Sequence, residues 1–552
     1  MKHARGEEPR CSRVWVIGLD GGTFTVLDVF AQRGWMPHLA GLMQEGCTLS
    51  LASTIPHITA PAWSSFLTGC NPGRHGVYGF RAPLRGGWER AILNGAAIRA
   101  PRVWQYLNVL GLSTGLVNVP MTYPVQPLNG YLVGGMMSPE WNRAVAYPEE
   151  VQTMLRAQQY IVDLHVGRRE RQMDTREQIA ALADDLIVSE QRRVQAALQL
   201  VKERPTDFLS VVFVALDRIQ HVGWHQIARL IEDPESARSD DVCRRVLAVY
   251  QEVDTALGAL LAARPEGTAV LVVSDHGFSR LHTRVHLNEW LAQQGWIKFD
   301  RAARSARQVA RQKRAWLKRL VPRQLLLWGR RVLAESHTVQ WADTLAYTGD
   351  ASENAVFLNV AGREPQGVVT EAEYAGMRAR LADALVDLRD PRTGARVMKR
   401  VYPRENAYAG PCIPLAPDIV FEPEEGYEIT PDVGPDGVIF ADAHSEGKGS
   451  HARAGILIAA GHGVPHTLDR GRADMADIAP TAMYLLGCPV PSEMDGHPVT
   501  AIIEPEWLTA RPPSSEPLAD LVQPTQPLDN PSYSTDEQKM VEERLSDLGY
   551  FE

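Results

Sequence analysis

Asp and His side chains recur along the chain at spacings that suit a divalent metal ion. Asp217 and His221 are four residues apart, so one helical turn would bring both side chains to the same face. Asp275 and His276 are adjacent and follow an apolar run, and Gly277 lets the chain bend there. Carboxylate oxygen and imidazole nitrogen together suit zinc or manganese. Either pair taken alone is also typical of an ordinary helix surface or strand end.

Two further candidate ligands stand singly in the sequence. Asp20 precedes a Gly-Gly pair, which allows the backbone to approach an ion or an anion closely. His451 lies just before an apolar run late in the chain, and His444 is an alternative seven residues upstream. Either histidine could complete a ligand set with Asp217 and His221.

The segment from Thr59 to Gly69 supplies the candidate nucleophile. Its pattern predicts a helix with Thr59 near the N-cap, Pro61 in the first turn and Gly69 at the end. The free N–H groups and the dipole of such a helix attract phosphate. A nearby divalent ion would lower the pKa of the threonine hydroxyl and activate it for attack. Ser64 and Ser65 lie deeper in the helix and are less well placed. A simple capping threonine is the alternative interpretation.

Short apolar, β-branched runs precede three of the candidate ligands. These runs are Val14–Leu19, Ser210–Leu216 and Ala269–Val273, and they predict strands buried on both faces. Helical patterns lie around them at Met36–Glu45, Thr175–Glu203, Val242–Ala263 and Leu287–Gln294. The alternation predicts an α/β fold with a central, mostly parallel sheet flanked by helices. Ligands bind beyond the carboxyl ends of the strands in such sheets, where these acidic turns lie.

The composition limits the class of protein and of metal site. A chain of 552 residues is enough for about three to four domain-sized units, or for one large α/β domain with insertions. The apolar fraction of 45% and the charged fraction of 22% are those of a globular protein. A net charge of −9 disfavours a stable nucleic-acid complex. The six cysteines are scattered, so any metal must be held by His and carboxylate groups.

Targeting signals are sparse in the sequence. No apolar run reaches the roughly 18 residues of a membrane span. The first residues are charged and lack the apolar core of a signal peptide. We therefore expect a cytoplasmic protein.

The predicted domain organisation is a core with two insertions and a tail. The core comprises residues 13–300 and 340–505, and residues 139–205 form a helical cap within it. Residues 301–339 form a basic helical insertion, in which Arg301–Arg331 holds eleven Lys/Arg and no Asp/Glu. This insertion is either a solvated lid or a surface for anionic substrate or membrane lipid. Residues 506–552 form a Pro-rich tail with a C-terminal helix, for which Ser534 and Glu537 predict a capping box. This helix docks on the body or on a second copy in a homo-oligomer.

The order of these groups resembles the alkaline phosphatase superfamily. The combination is Asp20, then Thr59, then Asp217 with His221, then Asp275 with His276, then His451. It is most similar to the type I phosphodiesterase/nucleotide pyrophosphatase branch. The stretches Asn71–Gly76, Ala476–Thr481 and Met494–Gly496 support the resemblance, which extends from Val14 to about Ile503.

The resemblance implies an alkaline-phosphatase-like core and a site for two divalent metal ions, usually zinc, with manganese as the alternative. By its motifs, Asp217, His221 and His451 would hold one ion. Asp20, Asp275 and His276 would hold the other, with Thr59 in contact with it. Thr59 would attack phosphorus and form a phosphothreonine intermediate.

The implied activity is hydrolysis of a small phosphate ester, with diesters or pyrophosphates favoured. Two alternatives remain at this point. The same two-metal site would serve a phosphotransferase or phosphomutase, which passes the phosphoryl group to an alcohol instead of water. Outside the enzymes, the basic insertion and the C-terminal helix would suit a membrane-surface binding protein.

Overall fold

Strands and helices alternate through most of the chain. The computed structural model describes residues 10–83, 90–139, 141–142, 144–164, 175–300, 339–350, 353–434, 437–443, 447–467, 471–522 and 533–547. The strands are β1 (Arg13–Leu19), β2 (Cys47–Ala52), β3 (Arg81–Pro83), β4 (Arg90–Ile92), β5 (Thr114–Val119), β6 (Gly130–Gly134), β7 (Ala146–Tyr147), β8 (Phe208–Phe213), β9 (Thr268–Val273), β10 (Gly277–Arg280), β11 (Thr283–His286), β12 (Ala346–Thr348), β13 (Ala355–Leu358), β14 (Met398–Pro403), β15 (Ile419–Pro423), β16 (Tyr427–Thr430), β17 (Phe440–Asp442), β18 (Gly449–Ala452), β19 (Ala454–Gly461), β20 (Arg472–Asp474), β21 (Val490–Pro491) and β22 (Ser515–Glu516). The helices are α1 (Phe24–Gln32), α2 (Pro37–Glu45), α3 (Thr59–Thr68), α4 (Pro72–His75), α5 (Val103–Val109), α6 (Glu149–Ala157), α7 (Arg176–Glu203), α8 (Ala215–Glu232), α9 (Ser236–Ser239), α10 (Asp241–Ala263), α11 (Leu287–Gln293), α12 (Glu371–Val386), α13 (Arg404–Ala407), α14 (Ile478–Leu485), α15 (Pro505–Ala510) and α16 (Thr535–Asp547).

Nine strands of the described chain form the main sheet, in the order β20-β2-β19-β9-β1-β8-β5-β6-β7. β1 pairs in parallel with β8 and β9, and β5 pairs in parallel with β6 and β8. β19 is antiparallel to both β2 and β9. Both faces are apolar: Val14 and Val16 join the core on one side of β1, and Trp15 and Ile17 join the core on the other. The predicted α/β fold with a mostly parallel sheet is confirmed.

The segment predicted as a helical cap, residues 139–205, holds the edge strand β7 and the helices α6 and α7. α7 packs along α10 and against α8. Its buried residues Leu182 and Leu186 belong to the core on one face of the main sheet. The described part of this segment therefore belongs to the helical layer that covers the sheet.

α10 is the one helix in the described ranges that is long and apolar enough to cross a membrane, judged by length and composition alone. Charged residues interrupt the apolar positions of α10, so its sequence contains no continuous apolar run of membrane-spanning length. Of its most apolar 18-residue window, 56% is buried inside the protein, where α7 and α8 pack on it. This burial is what a core helix requires.

The second predicted strand, Ser210–Leu216, ends earlier than its sequence indicates. β8 ends at Phe213, because Ala215 and Leu216 already belong to the first turn of α8. The buried side chain of Glu190 accepts hydrogen bonds through Oε1 from the backbone N–H groups of Val214 (3.0 Å) and Ala215 (2.9 Å). A carboxylate at this position satisfies N–H groups that a helix start leaves unpaired and so begins α8 earlier.

A second, smaller sheet follows the basic insertion. Its strand order is β12-β13-β15-β14, and α12 packs on β14. Leu381 and Leu385 of α12 meet Phe421 of β15 in a separate apolar core. The strand-like sequence pattern of residues 344–359 covers only part of this sheet. The basic insertion itself, 301–339, lies outside the described residues except for its last residue.

The C-terminal helix α16 docks on the body of its own chain. Ser534 and Glu537 form the predicted capping box, with N···O distances of 2.8 and 3.3 Å. Val541 and Leu545 are buried in the main core. Arg544 donates hydrogen bonds to Ser138 O (2.7 Å) and to Asp163 Oδ2 (3.4 Å).

We expect Arg544→Met to lower the free energy of unfolding by about 2 kcal/mol, because a buried carboxylate loses one of its charged partners. Asp163 would retain Arg218, whose Nη2 lies 3.0 Å from Asp163 Oδ1. Chemical denaturation of the variant measures the loss. Lys539→Met, an exposed change on the same helix, is the control. Equal midpoints for the two variants would contradict this role of Arg544.

Candidate metal centre

Three carboxylates meet at the carboxyl ends of three neighbouring strands. Asp20 follows β1 directly, and Asp275 lies two residues beyond β9. Asp217 lies in the first turn of α8, just beyond β8. β9, β1 and β8 are adjacent in the sheet. The three residues are at most 2% exposed. The sheet order therefore brings together acidic residues that are more than 50 positions apart in sequence.

Gly21 makes the turn after Asp20 possible. Its φ of +71° favours glycine, and a Cβ there would meet the ring of Phe278 at 2.9 Å and Asp217 Cα at 3.0 Å. The N–H of Gly21 donates to Asp275 Oδ1 at 3.3 Å. Gln220 on α8 donates from Nε2 to Gly21 O at 2.8 Å. These bonds fix the turn against both neighbouring strand ends.

Three histidines complete the cluster. His221 follows Asp217 by one turn of α8, as the spacing predicted, and its Nε2 lies 3.4 Å from Asp217 Oδ1. His451 comes from β18, which pairs with β10 so that His451 lies opposite Phe278. Its Nε2 lies 3.3 Å from Asp217 Oδ1 and 3.0 Å from His221 Nε2. His444, the alternative to His451, lies outside the described residues.

His276 forms the second part of the cluster. Its Nε2 lies 3.3 Å from Asp275 Oδ2, 3.8 Å from Asp20 Oδ1 and 3.9 Å from Asp217 Oδ1. Two groups of candidate ligand atoms result, each with all atoms within 4.8 Å of one another: Asp217 with His221 and His451, and Asp20 with Asp217 and His276. Asp217 belongs to both groups, whereas the resemblance assigned it to one ion only.

Thr59 lies beside the second group. It is the first residue of α3 and is 1% exposed, and its Oγ1 lies 3.4 Å from His276 Nε2. Ile58 occupies the N-cap position, and its apolar side chain makes no capping bond. Thr59 thus lies near the N-cap, as predicted, and the alternative of a simple capping threonine is not what the structure shows. Its hydroxyl approaches a candidate metal ligand instead.

The two serines in the same helix are engaged elsewhere. Ser64 Oγ donates to Ala60 O at 2.7 Å. Ser65 Oγ lies 3.0 Å from Nε2 of the buried His75. Of the candidate hydroxyls, only that of Thr59 is observed beside the cluster among the described contacts.

The chemistry of the donor set fits divalent cations. Asp20 Oδ1 and Asp275 Oδ2 are buried, and no hydrogen-bond donor reaches them within the described part of the chain. Burial and the charges of Asp275 and Asp217 raise the pKa of Asp20 well above its usual value. Burial and Asp217 raise the pKa of Asp275 to about 8. Bound cations would offset this repulsion, and imidazole and carboxylate ligands suit zinc or manganese.

In this cluster Asp217 is an ionised carboxylate and His276 is a neutral imidazole. Burial opposes ionisation of Asp217, yet His221 and His451 hold its pKa well below the ordinary value. Burial, together with His451, lowers the pKa of His276 well below its usual value. A neutral imidazole keeps its lone pair available for a metal ion.

In the metal-free protein, we expect Asp275→Asn to gain stability relative to the wild type as pH rises from about 4 to about 8. The folded wild type keeps a proton on Asp275 up to a pKa of about 8, whereas the unfolded chain loses it near pH 4. The folded state therefore binds more protons in this window, and wild-type stability falls as pH rises, by up to about 1.4 kcal/mol per pH unit. Denaturation of both proteins in chelator at several pH values measures the difference. A difference that stays constant with pH would contradict it.

Two aromatic residues of the site were not predicted. Trp63 Nε1 donates to Asp20 Oδ2 at 3.0 Å. Phe278 packs its ring against those of His221 (4.9 Å), His451 (5.0 Å) and His276 (5.7 Å). Trp63 lies four residues after Thr59, and this helical spacing could have placed it on the same face. Phe278 had no local signal, because two of these three rings, those of His221 and His451, come from distant segments.

Comparisons with known proteins place the chain in a family and show its fold. Residues 14–453 match the sequence profile of the family described as type I phosphodiesterase/nucleotide pyrophosphatase. No curated protein gave a significant match. Among solved structures, phosphonoacetate hydrolase from Sinorhizobium meliloti 1021, in complex with phosphonoformate, is similar with a TM-score of 0.53. It shares 16% identity over 88% of this chain and 98% of its own.

Two further structures are similar at lower scores. Murine ectonucleotide pyrophosphatase/phosphodiesterase 5 shares 13% identity over 89% of this chain and 100% of its own, with a TM-score of 0.49. Alkaline phosphatase PafA shares 14% identity over 90% and 100% of the two chains, also with a TM-score of 0.49.

The family profile covers most of the chain, from β1 through His451 on β18. It therefore includes every member of the carboxylate–histidine cluster and Thr59. With its alkaline-phosphatase-like fold, the chain belongs to the type I phosphodiesterase/nucleotide pyrophosphatase family, whose members are hydrolases that act on phosphoester bonds.

Proposed function

We propose that the protein hydrolyses a phosphodiester or pyrophosphate bond in a small molecule through a phosphothreonine intermediate, with two divalent metal ions, zinc or manganese. The observation that carries the proposal is the buried Thr59 hydroxyl, 3.4 Å from His276 Nε2 at the start of α3. The nucleophile of such an enzyme must lie beside the metal ligands and be shielded from bulk water.

The residues that would hold the metal ions are those of the cluster. One ion would take Asp217, His221 and His451, and the other would take Asp20, Asp275 and His276, with Thr59 close by. When bound, the ions would lower the pKa of the threonine hydroxyl and offset negative charge on the phosphoryl group. Asp217 lies between the two groups and would stabilise both.

The other contacts of the site support the same chemistry. Thr59 Oγ1 attacks phosphorus, the bond from phosphorus to the leaving oxygen breaks, and water later cleaves the phosphothreonine. The first turn of α3 presents the N–H of Ala60 and the positive end of the helix dipole to the phosphoryl oxygens. Trp63 holds Asp20 in place through its 3.0 Å hydrogen bond. In this proposal the Thr59 hydroxyl attacks, the start of α3 binds the phosphoryl oxygens, and the acidic cluster holds the metal ions.

A turnover screen tests this function. The purified protein is supplied with zinc or manganese and offered p-nitrophenyl monoesters, diesters, thymidine 5′-monophosphate p-nitrophenyl ester and a sulfate ester. We expect hydrolysis of phosphodiesters to exceed that of monoesters and to be abolished by a chelator. Absence of turnover on every phosphate ester with either metal would overturn the proposal.

A further inference from the structure

The helix that carries Asp217 and His221 starts without a side-chain cap of its own. The N-cap residue of α8 is Val214, whose apolar side chain makes no capping bond. Asp217 is the third residue of the helix, the position called N3. A carboxylate at N3 can turn back and accept a hydrogen bond from the N–H of the N-cap residue. In α8 that carboxylate is the one that belongs to both groups of candidate metal ligands.

Other helix starts in the described chain use their N3 side chain in this way. Asp477 Oδ2 accepts from Asp474 N at 2.9 Å, so an aspartate is long enough to make the bond. The same bond from the N-cap N–H is accepted by the N3 residues Gln105, Gln178, Glu373 and Glu537. Asp217 would therefore be drawn toward Val214 N–H if no other group accepted a hydrogen bond from it.

Glu190, on the neighbouring helix α7, is the group that accepts this bond. Its Oε1 lies 3.0 Å from Val214 N and 2.9 Å from Ala215 N, the N–H groups of the N-cap and of the first helical residue. Glu190 is 1% exposed, and its Oε2 pairs with Arg193 Nη1. Because Arg193 holds one oxygen of the carboxylate, the other is directed at the start of α8. A side chain from another helix thus replaces the N3 residue as acceptor.

The side chain of Asp217 is directed into the metal centre instead. Its Oδ1 lies 3.3 Å from His451 Nε2, 3.4 Å from His221 Nε2 and 3.9 Å from His276 Nε2. A carboxylate that bonded to the backbone of its own helix would have to give up that bond, or change its rotamer, to bind a metal ion. Groups that orient a ligand before the metal arrives raise the metal affinity of a site.

We propose that Glu190 is a positioning residue for the metal centre. It caps α8 from α7 and so keeps the carboxylate of Asp217 directed toward the two metal groups. The inference rests on the proposed two-metal function, because Glu190 acts through Asp217 and the backbone of α8. A purely structural Glu190 would instead affect folding alone, and the two roles predict different results.

Two variants of similar side-chain length separate these roles. Glu190→Gln keeps an oxygen that can accept from Val214 N–H, whereas Glu190→Met has none. Both leave Arg193 without its carboxylate, so that loss is common to the two proteins. We expect Glu190→Met to bind zinc about 10-fold or more weakly than Glu190→Gln, by competition with a chelator of known affinity. Gln195→Met, an exposed change on α7, is the control and should keep the wild-type affinity.

Further measurements keep stability apart from metal binding. The same Gln and Met comparison in an Arg193→Met background remains available if an unpaired buried Arg193 prevents folding. Thermal unfolding of the metal-free proteins is measured in parallel, since a purely structural Glu190 would change Tm and leave the zinc affinity of the folded protein unchanged. Turnover of bis(p-nitrophenyl) phosphate by Glu190→Met should recover as the zinc concentration rises, because every metal ligand is retained.

Equal zinc affinities of the Gln and Met variants would overturn the inference. A crystal structure of metal-free Glu190→Met should show the Asp217 carboxylate within hydrogen-bond distance of Val214 N, and an unmoved Asp217 would also overturn it. A wild type that binds neither zinc nor manganese refutes the proposed function and this inference with it. A wild type that binds zinc no more tightly than Glu190→Met refutes the role of Glu190 and leaves the proposed function standing.

Discussion

Replacing Thr59 with Ala is expected to reduce turnover by at least about 10³-fold while the protein stays folded. The change removes the hydroxyl that lies 3.4 Å from His276 Nε2. It does not change the N-cap residue of α3, which is Ile58. The expected loss of stability is therefore about 1 kcal/mol or less. Steady-state kinetics on the best diester and thermal unfolding measure the two quantities.

Two matched variants separate the roles of the hydroxyl. Thr59→Ser keeps an attacking oxygen at the same position and should retain measurable turnover. Ser64→Ala removes a buried hydroxyl from the same helix that bonds only to Ala60 O among the described contacts, so turnover should stay close to that of the wild type. If Thr59→Ala keeps substantial activity, the nucleophile assignment is wrong, and Ser64 or Ser65 becomes the candidate.

Metal content is expected to be about two divalent ions per chain, with each ligand group controlling one ion. His221→Ala should lower the metal occupancy of the site formed with Asp217 and His451. Asp20→Asn should lower the metal occupancy of the site that contains His276. Asp217→Asn should lower both, because Asp217 Oδ1 lies 3.4, 3.3 and 3.9 Å from the three histidines. We expect activity to fall by at least about 10²-fold in each variant, since loss of even a supporting residue costs 10–100-fold.

Elemental analysis counts the ions, and anomalous diffraction at the zinc edge locates them. His466→Ala, which changes an exposed histidine outside both groups, is the control and should keep full occupancy. A single ion bound by both His221 and Asp20 would contradict the two-site arrangement. A purified protein that holds no metal and is active without it would contradict metal dependence altogether.

The sequence predicted those features that depend on neighbours a few residues away. The spacing of Asp217 and His221 was sufficient to place both on one face of a helix, because an α-helix repeats every 3.6 residues. Apolar runs predicted β1 and β9, because strands buried on both faces need continuous apolar residues. The capping box of Ser534 and Glu537 likewise closes within three residues.

Local patterns failed where a distant contact decided the outcome. β8 ends early because Glu190, on another helix, accepts the first N–H groups of α8. The local pattern placed Thr59 near the start of α3, but it could not show that its hydroxyl lies beside a histidine 217 residues away. The smaller sheet and its own core also went unpredicted, since short strands separated by long connections carry weak signals.

The family and the kinds of group in the site were thus accessible from residue types, their order and short spacings. Only the tertiary structure decided which of these side chains lie next to one another. His221 and His451 are 230 residues apart, yet their Nε2 atoms approach to 3.0 Å because β18 pairs with β10. The sharing of Asp217 between the two groups and the contact of Trp63 with Asp20 arise in the same way. Each depends on which strands are neighbours in a sheet, and long-range pairing is not encoded in the spacing of adjacent residues.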